Sequence, residues 1–219
     1  MLKMQFIEAV LDFRYLLTRG YNREGALRFV GDHYQLNRHN RLLLYRCVYG
    51  EREAEEHRRK ILSTEDVRGR TVAIDGYNLL ITVESGLQGK QLILSDDGFI
   101  RDLSAVHNRY TTSSTTEEAL RLIGNSLRDM AVSEARFYFD SQISKSGRLA
   151  AMVRRTLQGV GVKGNARAVK QADNSVVKDL GIAVSSDAVV IERARAVYDL
   201  GGHIVMKIIA DKITRLGEL

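Results

Sequence analysis

Two rhythms of apolar residues divide this chain. Phe6, Ile7, Val10, Phe13, Leu16 and Leu17 recur at the spacing of one helix face. Gly20 and Asn22 interrupt it, and a second helix is expected from Glu24 to Tyr34, with Leu27, Val30 and Tyr34 on one side. Gln35-Leu36-Asn37 reads as a turn, followed by a helix from Arg38 to Tyr49 and a charged one from Glu51 to Leu62. From Arg70 the pattern changes to short apolar runs. These predict strands near 71–75, 135–140, 162–169, 182–186 and 203–206, separated by helices at 116–132, 143–158, 172–180, 187–200 and 207–217. Such alternation predicts an α/β fold, a parallel sheet flanked by helices. The expected organisation is a small all-helical domain over 1–62, a linker over 63–69 and the α/β domain over 70–219. Residues 91–101 break the alternation as a β-hairpin around Asp97-Gly98. Thr115 and Glu118 have capping-box spacing at the start of the next helix.

Composition narrows the class. No apolar run approaches the ~18 residues of a membrane span, and no secretory leader is visible at the N-terminus. A cytoplasmic protein without a membrane partner is therefore expected. Cys47 is the single cysteine, so an intrachain disulfide is excluded, and its apolar neighbours predict a buried thiol. The net charge of +6 favours a polyanionic partner. Residues 1–62 hold 12 Lys/Arg and 8 Asp/Glu, so much of the excess falls there. Within the helical hairpin over 24–49, Arg38 and Arg41 are candidate nucleic-acid contacts, against the simpler reading of solvated charges. Gly159-Val160-Gly161-Val162-Lys163-Gly164 matches a dinucleotide fingerprint but follows a helix and opens a strand, the reverse of the required context. It is read as a helix stop.

Carboxylates carry the chemistry. Thr71-Val72-Ala73-Ile74-Asp75 and Phe137-Tyr138-Phe139-Asp140 are apolar runs ending on aspartate, and Ile182-Ala183-Val184 leads through two serines to Asp187. Asp173 opens the helix after the 162–169 strand. All four are expected at the C-terminal edge of the sheet, where α/β proteins hold ligands. Crowded carboxylates repel unless a cation lies among them, and an all-oxygen site suits Mg²⁺ or Mn²⁺. Such ions stabilise charge on a phosphoryl group and lower the pKa of an attacking water. Helix capping is the competing role for each aspartate. Asn78 and Ser186 flank the same edge as candidate substrate ligands, and Lys145, Arg148, Arg154 and Arg155 follow Asp140 as candidates for guiding a phosphate backbone. Asp96 and Asp97, in the hairpin turn, rank below the four; Asp102, His107 and Arg109 come after it.

These segments resemble a known group. Ile74-Asp75-Gly76-Tyr77-Asn78-Leu79-Leu80 resembles the first motif of the NYN branch of PIN-like ribonucleases. Phe139-Asp140-Ser141 resembles its second acidic strand end, Ala172-Asp173-Asn174 its Ala-Asp element, and Val184-Ser185-Ser186-Asp187 its later Ser-Asp element. The whole chain resembles a mostly archaeal family that joins a small helical domain to such a PIN-like domain. The resemblance implies a metal-dependent endoribonuclease, with Mg²⁺ or Mn²⁺ held by Asp75, Asp140, Asp173 and Asp187 and with RNA as partner. Many such sites add a glutamate from an early helix, for which Glu84, Glu117 and Glu118 are candidates. The alternatives are a PIN-like module that binds RNA or protein without cutting, and a phosphohydrolase of small molecules.

Overall fold

The computed structural model describes residues 2–103, 110–210 and 213–216. The chain opens with α1 (Leu2–Thr18), α2 (Arg23–His33), α3 (Arg38–Cys47), α4 (Glu51–Arg58) and α5 (Thr64–Val67). It continues through β1 (Thr71–Asp75), α6 (Gly76–Leu87), β2 (Leu92–Leu94), β3 (Ile100–Asp102), α7 (Ser114–Asp129) and β4 (Glu134–Asp140). The last third comprises α8 (Ser146–Gly159), β5 (Gly164–Val169), α9 (Ala172–Lys178), β6 (Ile182–Val184), α10 (Ala188–Arg193), β7 (Val197–Tyr198), α11 (Leu200–Ile209) and β8 (Ile213–Arg215). The elements fall into two compact units. One holds the described residues of 1–59, 91–103 and 211–219, and the other those of 60–90 and 104–210.

The second unit is built on a five-stranded sheet in the order β5-β4-β1-β6-β7, every pair parallel. Strands of a parallel sheet are covered on both faces, which is why β1 is an unbroken apolar run up to Asp75. The chain winds from β1 to β4 and β5 on one side, then crosses to β6 and β7 on the other. The reversal at β1 opens a crevice at its C-terminal end, the ligand position of such sheets. Ile74, Leu80, Phe137, Phe139, Leu149 and Val184 belong to one core in this unit. A side chain at Gly76 would overlap the Phe139 ring, so glycine is required where α6 leaves β1. The Gly159–Gly164 segment is a helix stop, as its context predicts: α8 ends at Gly159, Gly161 has φ +73°, and Gly164 opens β5.

In the first unit, α1–α3 pack Phe6, Val10, Phe13, Val30, Leu43, Leu44 and Cys47 into a second core. Ile93 of the hairpin and Leu216 after β8 complete it. The three short strands run in the order β3-β2-β8. The hairpin forms where Asp97-Gly98 predicts it, with Gly98 at φ +86°. Its center is a buried ion pair. Arg101, 2% exposed, donates to Asp97 through Nη1 (2.6 Å) and Nη2 (2.7 Å). His57 Nδ1 lies 2.9 Å from the same carboxylate, and the guanidinium sits 5.0 Å from the Tyr49 ring. Burial alone would raise the Asp97 carboxyl; Arg101 and His57 hold it below its ordinary value.

The C-terminal third departs from its sequence pattern. Residues 203–206 are not a strand but lie inside α11, which Asp199 caps by accepting from Gly202 N–H at 2.7 Å. Short apolar runs fit a buried helix as well as a strand. The fifth strand is instead β7, only two residues long, inside the span expected to be helical to residue 200. Within 207–217, α11 ends at Ile209 and β8 pairs with β2. The cap before α7 uses Ser113 and Thr116 rather than Thr115 and Glu118. The described residues of 91–103 and 211–219 group with the helical unit, which therefore draws on chain from beyond residue 62.

Removing one member of a buried pair strands the other charge. Asp97→Asn is expected to cost about 3–5 kcal/mol in urea denaturation of the intact chain. An unchanged midpoint would refute a supporting role for the pair.

Candidate functional site

The second unit brings the four predicted aspartates to one sheet edge. Asp75 ends β1, and Asp140 ends the neighbouring β4 two residues beyond Asp75's partner Tyr138. Asp173 lies in the first turn of α9, and Asp187 is the N-cap of α10. Asp75 is buried. Its Oδ1 accepts the Asn78 N–H at 3.3 Å, capping α6, and its Oδ2 accepts the Ser185 hydroxyl at 3.1 Å. Ser185 Oγ in turn accepts the Asp187 N–H at 3.0 Å, tying β1 to the α10 cap. Asp187 Oδ1 accepts from Val189 N–H (2.9 Å) and Asp140 Oδ1 from Ala172 N–H (3.2 Å). The Oδ2 of each has no hydrogen-bond partner among the described residues. Capping and site geometry therefore coexist in Asp75 and Asp187.

The carboxylates sense one another. Burial raises the Asp75 carboxyl to about 7, and the charges of Asp173 and Asp187 push the same way. Asp173 is raised first by burial, then by Asp187 and Asp140, and Arg193 partly offsets this. An open cleft of about 380 Å³ is lined by Asp140, Asp173, Lys170, Arg193, Gln171 and Asn174, among others. It places two of the carboxylates beside two cations. Among the described residues no three His, Cys, Asp or Glu side chains form a ready-made metal cage.

The other predicted residues are placed less uniformly. Asn78 Oδ1 accepts from the Ser186 N–H (2.8 Å) and hydroxyl (3.1 Å), so this pair braces β1 against the chain after β6. Lys145, left-handed at φ +67°, precedes α8, and Arg148 is exposed in its first turn. Arg154 donates to Ala166 O, while Arg155 is exposed. In the first unit Arg38 is exposed, but Arg41 is engaged by Asp32 (2.8 Å) and Leu36 O (2.8 Å). Asp96 pairs with Arg14, Asp97 with Arg101, and Asp102 lies 4.0 Å from Arg46. These three belong to the first unit's scaffold. His107 and Arg109 lie outside the described residues. Glu84 is held by the hydroxyls of Tyr110 (2.6 Å) and Thr116 (2.5 Å), and Glu117 and Glu118 are exposed.

Four residues were not singled out by sequence. Ser185 orients Asp75, and Lys170 and Arg193 line the cleft. Tyr77 has a buried hydroxyl without a partner, and burial followed by the charge of Asp140 raises it to about 12. Its place between Asp75 and Asn78 was the available signal.

Two families match the chain. "Domain of unknown function (DUF5616)" covers residues 64–203 and "Protein of unknown function (DUF434)" residues 5–60, a small N-terminal domain followed by a second one. Neither description names a PIN-like or NYN nuclease. The chain is 34% identical over 199 residues to "Uncharacterized protein MJ0935" of the archaeon Methanocaldococcus jannaschii, across 90% of this chain and 95% of that one. No solved structure matches it. No helix among the described residues is long and apolar enough to cross a membrane.

The Asp75 environment sets a pH dependence. The folded chain keeps the Asp75 proton up to about pH 7, whereas the unfolded chain releases it near 3.8. Ionising Asp75 therefore lowers stability progressively through that window and fully above it. Asp75→Asn keeps the cap and removes the charge. In chelator, its stability is expected to exceed wild type above pH ~7 by up to about 4 kcal/mol, and by little near pH ~4. Parallel pH profiles in urea denaturation would refute this.

Proposed function

We propose that this chain, which belongs to the DUF5616 family, is a divalent-metal-dependent nuclease of PIN-like type that hydrolyses RNA. The observation that carries the reading is the crowding of carboxylates at one sheet edge: Asp75 and Asp173 are both raised, first by burial and then by neighbouring aspartates. A fold keeps such a cluster only if something offsets its cost, and a hard cation does so. Asp140 and Asp173, facing the cleft, would hold it, with Asp75 and Asp187 beside them. Mg²⁺ keeps several waters and needs only one or two carboxylates, so a site without three preformed ligands still fits it. The cation, Mg²⁺ or Mn²⁺, would supply charge neutralisation and acidify a water.

The protein groups divide the remaining work. Lys170 and Arg193 line the same cleft and would hold the phosphodiester against the carboxylates. Ser185 and the Asn78 N–H fix Asp75. Asn78 and Ser186 brace the two loops against each other; substrate contact through Asn78 would use its amide nitrogen, since its oxygen is occupied. Lys145 and Arg148 stand beyond Asp140 toward incoming RNA.

A second reading, a module that holds RNA without cutting it, draws support from the absence of three converging ligands among the described residues. Labelled single-stranded and structured RNAs, incubated with Mn²⁺, Mg²⁺ or chelator, separate the two. Metal-dependent cutting by wild type is expected to fall at least about 100-fold in Asp75→Asn/Asp187→Asn, as loss of transition-state charge stabilisation does. Cutting retained by the folded double variant would sink the site. Salt-sensitive binding without cutting in either protein would favour the binding module.

A further inference from the structure

We infer that RNA approaches the cleft along the open edge of the second unit's sheet, over α8 and β5, and not over the helical unit. The inference rests on the RNA reading above. Between Asp140 and Asp173 the chain carries seven Lys/Arg and no Asp/Glu, so this stretch exceeds the whole protein's excess of +6. The helical unit, by contrast, gains the acidic hairpin: its segments together hold 14 Lys/Arg against 13 Asp/Glu. The basic impression given by residues 1–62 alone does not survive folding.

Placement turns this charge into a track. β5 is an edge strand, paired only with β4. Ala166 and Ala168 stand opposite the core residues Phe137 and Phe139, so the intervening Arg167 projects to the other face, beside Tyr138. Arg167's charge is felt by the Tyr138 hydroxyl. Lys163, just before β5, is exposed, as are Arg148 and Arg155 on α8. Cations thus flank the edge from both sides. The carboxylates over β4, Glu134 and Asp179, are both paired with Arg136, and Glu134 also feels the charge of Lys163, which leaves Arg167, Arg148 and Arg155 as the strip's freer cations. From Lys163 to Lys170, which lines the cleft, is about 23 Å at ~3.3 Å per residue.

The middle of the edge is also taken up against the other common occupant, an added β-strand. Arg154 Nη1 donates to Ala166 O at 2.6 Å, and the Ala166 N–H is taken by Asn165 Oδ1 at 2.7 Å. With its central backbone groups satisfied, the strand has little to offer a partner peptide. Its exposed cations remain available to phosphates.

Binding in chelator isolates this claim from cleavage. The probe is a fluorescein-labelled oligouridylate, followed by anisotropy across a salt series. Arg155→Gln/Lys163→Gln/Arg167→Gln is expected to weaken binding at least about tenfold and lower the salt slope by about 2, near 0.7 per lost contact. The matched helical-unit triple Arg19→Gln/Arg28→Gln/Arg38→Gln should bind as wild type does. Equal losses in both triples, an unchanged strip variant, or a wild type that does not bind would overturn the inference. Strip-dependent binding without metal-dependent cutting would leave the track standing and remove the nuclease; cutting with a strip-independent affinity would do the reverse.

Discussion

The burial of one carboxylate among others is the constraint on which the candidate site depends. Asp75 sits in a buried position that would suit a neutral residue, beside Asp173 and Asp187. Nothing about the sheet itself demands this: an apolar residue at the end of β1 would lengthen the core. The surrounding groups reduce the penalty without removing it. Ser185 and the Asn78 N–H donate to Asp75, Arg193 offsets Asp173, and the helix starts at α6 and α10 present their N–H groups to Asp75 and Asp187. In our proposal, a cation offsets what remains.

That arrangement depends on the strand order. β1 has β4 on one side and β6 on the other, so its terminal aspartate neighbours the ends of both. The chain reversal at β1 spreads the flanking loops apart, and the cleft with Lys170 and Arg193 opens beside them. One edge strand further, β5 and α8 carry exposed cations, and the chain between Asp140 and Asp173 holds no acid of its own. Negative charge is concentrated at the strand ends and positive charge along the adjacent edge. In our proposal a phosphate chain would be held by the second and cut at the first.

Legibility in the sequence followed the strength of local signals. β1 was readable because the apolar run Val72–Ile74 ends abruptly on Asp-Gly, and β4 because alternation runs to Asp140. β7 was not, since two residues carry no period, and the run at 203–206 is equally apolar in a buried helix. The four aspartates could be found from their positions after apolar runs. Their support could not: Ser185 is one serine of two, Arg193 acts across space from a different helix, and Gly76 is explained only by the Phe139 ring. Charge counts misled where topology intervened. The hairpin was recognisable as a hairpin, but nothing local showed that its aspartates neutralise arginines of the helical unit.

The hairpin's allegiance has a bearing on how the protein is made. The first unit is discontinuous: its core draws on Ile93 and Leu216, and its central ion pair joins His57 to Asp97 and Arg101. On a ribosome, α1–α4 emerge long before those partners, and the strand β8 comes last of all. The helical segment must therefore wait, its apolar face incompletely covered, while the chain of the second unit is synthesised. The core that α1–α4 begin is thus completed only after the chain of the second unit has been made.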